Sequence, residues 1–330
     1  MQWDHLSDTG IGSAEGGAQR RGVVELLASA THVKIGIAET RGGFRHCPRV
    51  ANDLFMPKEP PIKLRVQVHH DSKESGMTTE TRIVLITGGS RGLGREAALE
   101  VAKQGDDVLL TYHSRADAAQ SVVADIEAMG RKAVALQLDV AASDRFAAFA
   151  DTVRDTLQST WDRTRFDALL NNAGHGLNRP FAKTTETEFD SIMQVHVKAP
   201  FFLTQALLPL LADHGRILNV SSGLARFSLP GHAAYASAKG AIEVLSRYLA
   251  KELGDRGISV NAIAPGAIET DFGGGAVRDN EAINQQVASV TAMGRAGQPS
   301  DIGVIMAQLL GPGSCWITGQ RIEASGGMLL

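Results

Sequence analysis

Short apolar runs and longer amphipathic stretches alternate along most of this chain. The runs are Ile83-Val84-Leu85-Ile86, 107–112, 133–139, 168–171, 216–221 and 259–264. Their shortness and largely apolar character predict strands covered on both faces. Between them, 96–104, 117–129 and 143–157 carry apolar residues at helical spacing,. Ser143 stands where a hydroxyl caps the last of these,. Further on, Ala234, Ala238, Ile242, Leu245, Leu249 and Leu253 step by threes and fours, the apolar stripe of one long helix,. Strands and helices in this alternation predict an α/β fold, a parallel sheet with helices on both faces. Such sheets bind ligands beyond the carboxyl ends of their strands.

Residues 1–76 lack this pattern. They scatter Gly and Pro (Gly16, Gly17, Gly42, Gly43, Pro57, Pro60, Pro61) and hold five histidines, His5, His32, His46, His69 and His70, at no metal-ligand spacing,. The reading is a disordered or irregular extension over 1–76, followed by a single domain over 77–330 with Met77 as functional start. Arg20-Arg21 before 22–30 resembles a twin-arginine export signal, but Glu25 interrupts the apolar segment,. A cytoplasmic protein is therefore expected.

Composition narrows the partners. A net charge of -3 gives no electrostatic ground for nucleic acid or an anionic membrane,. No apolar stretch approaches the roughly 20 residues that cross a bilayer. Two cysteines, Cys47 and Cys315, make neither a disulfide framework nor a thiolate metal site,.

Candidate chemistry begins at Thr87-Gly88-Gly89-Ser90-Arg91-Gly92-Leu93-Gly94, directly behind the first strand. Glycines there permit a tight turn and close approach of backbone to a pyrophosphate, and the helix that follows offers free N–H groups. The G-x-x-x-G-x-G spacing differs from the usual dinucleotide fingerprint. The second strand ends in His113-Ser114-Arg115 without the acid that binds a free ribose 2′-hydroxyl,. Arg91, Ser114 and Arg115 instead suit a 2′-phosphate, so NADP is expected. Asp139, ending the third strand, is placed to meet the adenine amino group.

A second constellation follows. Ser222 ends a strand, and Tyr235 and Lys239 lie one helical turn apart,. An unperturbed phenol titrates near about 10, and a neighbouring ammonium lowers that value toward useful proton transfer. Ser222 then holds a substrate oxygen while Tyr235 gives it a proton.

These motifs, in this order, resemble the short-chain dehydrogenase/reductase family over 77–330. Asn171-Asn172-Ala173-Gly174 looks like its NNAG segment, and Pro265-Gly266-Ala267-Ile268-Glu269-Thr270 like its PG segment. The resemblance implies a doubly wound, Rossmann-type sheet and a catalytic set of Ser222, Tyr235 and Lys239. It also implies cofactor contacts from Asn172, Ala173, Gly174, Pro265, Gly266, Ile268 and Thr270, with Tyr235 and Lys239 at the nicotinamide ribose. The ending Ile317-Thr318-Gly319-Gln320 with Gly326-Gly327 is similar to 3-oxoacyl-(acyl-carrier-protein) reductase-like members, which implies a homo-oligomer, tetramer or dimer. One position departs. Many members carry Asn where this chain has His196, in Val195-His196-Val197-Lys198, and His196 is expected to replace it partly in the proton relay,.

The expectation is an NADP(H)-dependent oxidoreductase interconverting a small-molecule carbonyl and a secondary alcohol, a 3-oxoacyl thioester among the options. The competing class is a nucleotide-binding regulator or scaffold without turnover, favoured only by His196. Asp271-Phe272-Gly273-Gly274-Gly275 reads as a mobile lid,. Arg226, beside Leu224, Phe227 and Pro230, borders the carbonyl position, where it can meet an acidic group or an acyl-carrier phosphate.

Overall fold

The structure is a computed structural model that describes residues 25–28, 31–34 and 81–330. The chain divides into two units between Thr78 and Thr79. In the first, strands β1 (Glu25–Ala28) and β2 (Thr31–Lys34) pair antiparallel, Glu25 opposite Lys34 and Ala28 opposite Thr31. The pattern along 1–76 had not suggested strands. The expected disorder there, the start at Met77 and most of its histidines lie outside the described residues.

The second unit holds seven parallel strands: β3 (Ile83–Ile86), β4 (Asp107–Tyr112), β5 (Ala133–Gln137), β6 (Phe166–Asn171), β7 (Leu211–Val220), β8 (Ser259–Pro265) and β9 (Arg321–Ala324). Their spatial order is β5-β4-β3-β6-β7-β8-β9. The chain starts mid-sheet, winds out to β5, then crosses back to β6 beside β3. The reversal between β3 and β6 opens the crevice where doubly wound sheets bind ligands. The doubly wound α/β fold expected from the sequence is the fold observed.

Period-two geometry divides the core into two layers. Val84 and Ile86 face a cluster with Ala97 and Ala98 of α1 (Gly92–Lys103), Val122 and Ile126 of α2 (Ala116–Ala128), and Met306 of α9 (Pro299–Leu310). Ile83 and Leu85 face Phe149, Val153 and Leu157 of α3 (Phe146–Trp161), with Leu203 and Leu207 of α5 (Ala199–Leu207). Burying such a side chain contributes roughly 1.5–3 kcal/mol, which is why the central strands are so uniformly apolar.

Some boundaries differ from the reading. Ser143 does not cap a helix: it opens a 3₁₀ turn, Ser143–Arg145, before α3, and its hydroxyl accepts from Gln194 Nε2 at 3.4 Å. On the long helix α6 (Ala233–Glu252) the buried stripe contains Tyr235, Lys239 and Ser246 among its small and apolar members. Among the described residues, no helix is long and apolar enough to cross a membrane.

Candidate active site

The glycine turn and the Asn-Asn-Ala-Gly segment are locked together by Thr87. Its hydroxyl donates to Leu170 O (3.2 Å) and accepts from the backbone N–H of Asn172 (2.9 Å) and Ala173 (3.0 Å). Asn172 Nδ2 donates back to Thr87 O (2.9 Å) and Gly88 O (3.1 Å). The Asn172 amide is thus spent on shaping the turn. Gly88 has φ 67°, and a side-chain carbon there would approach Ala173 Cα to 2.9 Å. One on Gly94 would strike Gly88 O and lie 2.5 Å from Asn172 Nδ2. The helix α1 begins at Gly92 with no side chain capping it, so its leading N–H groups are open to an anion. Ser90 is half-buried in the turn, and Leu93 packs on the core beneath.

The expected phosphate-binding cations stand at the same edge. Ser114 and Arg115 are exposed beyond β4, with Arg115 3.3 Å from Asp117. That guanidinium holds the Asp117 carboxyl below its ordinary range. Arg91 lies 3.9 Å from Asp271, which precedes Phe272 and the three glycines. Asp139, beyond β5, accepts from Ala141 N–H at 2.9 Å and lies 3.8 Å from His113 Nε2.

The fold brings Ser222, Tyr235, Lys239 and His196 together. Ser222 follows β7 and caps a 3₁₀ turn, its Oγ accepting from Leu224 N–H at 3.2 Å. Tyr235 is buried in the first turn of α6 and hydrogen-bonds Ser222. Lys239 is buried one turn on, donating to Val220 O at 2.6 Å, its Nζ 5.6 Å from the Tyr235 ring centre. Burial pulls the Lys239 ammonium down to about 7. Burial also raises the Tyr235 phenol above its ordinary value, against a smaller lowering by Ser222. The sequence reading had Lys239 lowering that phenol. Here the ammonium is directed at a carbonyl instead, and desolvation prevails.

His196 lies in a π-helical segment, Gln194–Lys198, between α4 (Glu186–Met193) and α5. π-bulges of this kind recur at functional sites. Its Nε2 is 2.7 Å from His175 O, which requires the proton on Nε2,. Nδ1 is buried without a partner among the described residues. The ring meets Tyr235 edge-on at 5.2 Å. Burial first, then the Lys239 charge, holds His196 well below the ordinary histidine range, so it is neutral.

Two polar networks that the sequence reading missed support this cluster. Asn171 donates to Thr204 Oγ1 (3.0 Å) and Asn219 Oδ1 (2.8 Å), and Asn219 to Ser246 Oγ (2.9 Å), tying β6, β7 and α6. Ser221 donates to Glu243 (2.6 Å), Arg321 bridges Glu243 and Glu323 (2.6 Å each), and Arg226 pairs with Glu323 (2.9 Å). Arg226 also donates to Met328 O at 2.8 Å. In this structure Arg226 is therefore engaged with β9 and the chain's end, away from its expected role toward an acyl-carrier phosphate. Only distant pairings such as these, invisible to local periodicity, reveal the network.

The PG segment begins at Pro265, the last residue of β8. A carbon on Gly266 would meet Ser325 Cα at 2.9 Å, Ile268 bridges to Gly297, and buried Thr270 accepts from Phe272 N–H at 3.2 Å. Leu177 and Leu224 pack against the cluster that Tyr235 forms with Ile192 and Ala238.

Residues 88–329 match the family model described as Enoyl-(Acyl carrier protein) reductase. Hydroxynaphthalene reductase-like protein Arp2 of Metarhizium brunneum (strain ARSEF 3297) is 34% identical over 268 residues, covering 78% of this chain and 98% of its own. Among solved structures, the promiscuous reductase LugOII, which catalyses keto-reduction at C1 during lugdunomycin biosynthesis, superposes with a TM-score of 0.72. It is 36% identical, over 76% of this chain and 99% of its own. The angucycline C-6 ketoreductase LanV, solved with bound NADP, has a TM-score of 0.72 and 34% identity, over 76% of this chain and 96% of its own. Fold and relatives together define the class, an oxidoreductase acting on carbonyl and alcohol groups. The chain belongs to the short-chain dehydrogenase/reductase family.

Proposed function

We propose that this protein is an NADP(H)-dependent reductase that interconverts a ketone and a secondary alcohol, with Tyr235 as general acid and base. The observation that carries the reading is the Ser222–Tyr235–Lys239 cluster, with Tyr235 and Lys239 buried, in the same domain as the glycine turn. The turn fits a dinucleotide, because close packing at Gly88 and Gly94 shapes it and the uncapped start of α1 at Gly92 offers N–H groups to a pyrophosphate,. When bound, the nicotinamide supplies or accepts the hydride.

The chain's own residues do the rest. Ser222 holds the substrate oxygen and Tyr235 delivers a proton to it, so that hydride and proton together convert C=O to CH–OH. Lys239, held by Val220 O one turn below Tyr235, is placed to bind the nicotinamide ribose hydroxyls. His196, neutral and packed on Tyr235, fills the place of the family Asn. Arg91, Ser114 and Arg115 support a preference for the 2′-phosphate, Asp139 borders the adenine, and LanV is solved with NADP. Backbone at Ala173, Gly174, Pro265 and Gly266, with Ile268 and Thr270, borders the nicotinamide half.

Among substrates, a ketone on a ring is favoured over a 3-oxoacyl thioester. The relatives named above support this, as does the engagement of Arg226 with Glu323. We assign the activity to 77–330, in a cytoplasmic homo-oligomer, dimer or tetramer. Exposed Phe201 and Phe202 on α5 and Val244 and Tyr248 on α6 support association,.

The test is NADPH oxidation, against NADH, by the full chain with ring ketones and 3-oxoacyl thioesters. Turnover is expected with NADPH and should fall about a hundredfold or more in Tyr235→Phe. A Tyr235→Phe variant as active as the wild type overturns the assignment of the proton donor. Preference for NADH overturns the roles of Arg91 and Arg115.

A further inference from the structure

Phe272 lies over the catalytic centre. Its ring is 5.8 Å from the Tyr235 ring and tilted by 56°, an arrangement that aromatic pairs favour. Gly176 packs close to the same ring: one added carbon there would come within 3.1 Å of Phe272 Cε1 and 3.3 Å of Cζ. Phe272 thus takes up the room that the missing side chain leaves near Tyr235. Leu177 and Leu224 pack against the cluster of Ile192, Tyr235 and Ala238, so apolar side chains stand nearby. Yet Phe272 remains 48% exposed, and half-burial holds a phenyl ring only weakly.

The backbone behind the ring supplies a hinge. Gly273, Gly274 and Gly275 have φ of 63°, 75° and 77°. Three consecutive left-handed residues cost roughly 1–2 kcal/mol each for any residue with a side chain, and almost nothing for glycine. Glycine also leaves that region readily. Rotation there moves Phe272 while Thr270, buried on the near side, stays in place.

We propose that the gap between Gly176 and Tyr235 is a subsite for a flat aromatic ring of the substrate. Phe272 occupies it in the free protein and withdraws on the glycine hinge to admit that ring. The substrate class is a ketone carried on or fused to a planar aromatic ring, because the phenyl that fits the gap measures its shape. This rests on reading Tyr235 as proton donor, which makes its neighbourhood the substrate's place.

1-Naphthol is flat and carries no ketone, so its binding reports the subsite without turnover. Calorimetry on the full chain, with and without NADP+, should show Phe272→Ala binding it about tenfold more tightly than wild type. That factor follows if Phe272 leaves the gap open about one tenth of the time. Adding Gly176→Val to Phe272→Ala fills the gap again and should abolish binding, with NADP+ affinity checking the fold. The proposal fails if neither protein binds 1-naphthol, if Phe272→Ala binds it no better, or if the Gly176→Val double variant binds it undiminished. The redox reading fails separately, on absence of NADPH oxidation with every carbonyl compound, whatever 1-naphthol does.

Discussion

His196 is the residue at which this chain leaves its family's pattern, and its burial has a consequence for stability. The folded ring is neutral because desolvation and the charge on Lys239 both oppose its protonation, outweighing the bond to His175 O. An unfolded histidine takes up a proton near about pH 6.5. Below that value the unfolded chain binds more protons than the native one at this site, so stability falls as pH falls. Between pH 7.5 and 5.5 the loss from this residue is roughly 1 kcal/mol. In His196→Asn that part of the acid sensitivity should vanish, measured by urea unfolding at the two pH values. An unchanged difference between them would mean that His196 is protonated in the fold. The same variant reads the relay: an unaltered pH–rate profile would show that the ring only packs beneath Tyr235.

At the scale of elements, the junction of β3 with α1 depends on atoms that glycine lacks. Gly94→Ala drives a carbon into Gly88 O and Asn172 Nδ2. It should cost about 1–3 kcal/mol of stability and weaken NADPH binding at least about tenfold. Gly240→Ala on α6 meets nothing within 4 Å and should stabilise the helix by up to about 1 kcal/mol. Equal effects from the two substitutions, in fluorescence titration and unfolding, would contradict this account of the cradle. The glycine turn was legible in the sequence because its constraint is local. So were β3, β4 and β8, whose burial calls for largely apolar runs. β9 was not, since Arg321 and Glu323 alternate with Ile322 and Ala324 and all four are only half-buried at the sheet edge. Ser143 misled because a capping residue in sequence can equally open a 3₁₀ turn. Ser222, Tyr235, Lys239 and His196, which the fold brings together, were legible as candidates, but not the state of Tyr235, which depends on desolvation by distant segments.

Across the whole molecule, the last strand is joined to the catalytic centre through charge. Arg321 stands on the edge strand, yet it bridges Glu243 of α6 and Glu323, and donates to Ser222 O at 3.3 Å. Glu243 in turn accepts from Ser221, so the backbone that presents Ser222 is held from both sides. The side chains of Arg321, Glu243 and Glu323 are only 21%, 13% and 25% exposed, so water compensates little when one is lost. Arg321→Met leaves the sheltered Glu243 carboxylate without its cation, while Glu323 keeps Arg226. The expected cost is about 1–3 kcal/mol, below the full penalty for a wholly buried pair because some solvent reaches all three. Arg321→Met with Glu243→Gln removes that stranded charge and should recover part of the loss. Urea unfolding of the single and double variants measures this coupling. Additive losses would show that the network merely decorates the edge of the sheet. Recovery would show that the C-terminal strand and the backbone of Ser222 are held by the same electrostatic frame.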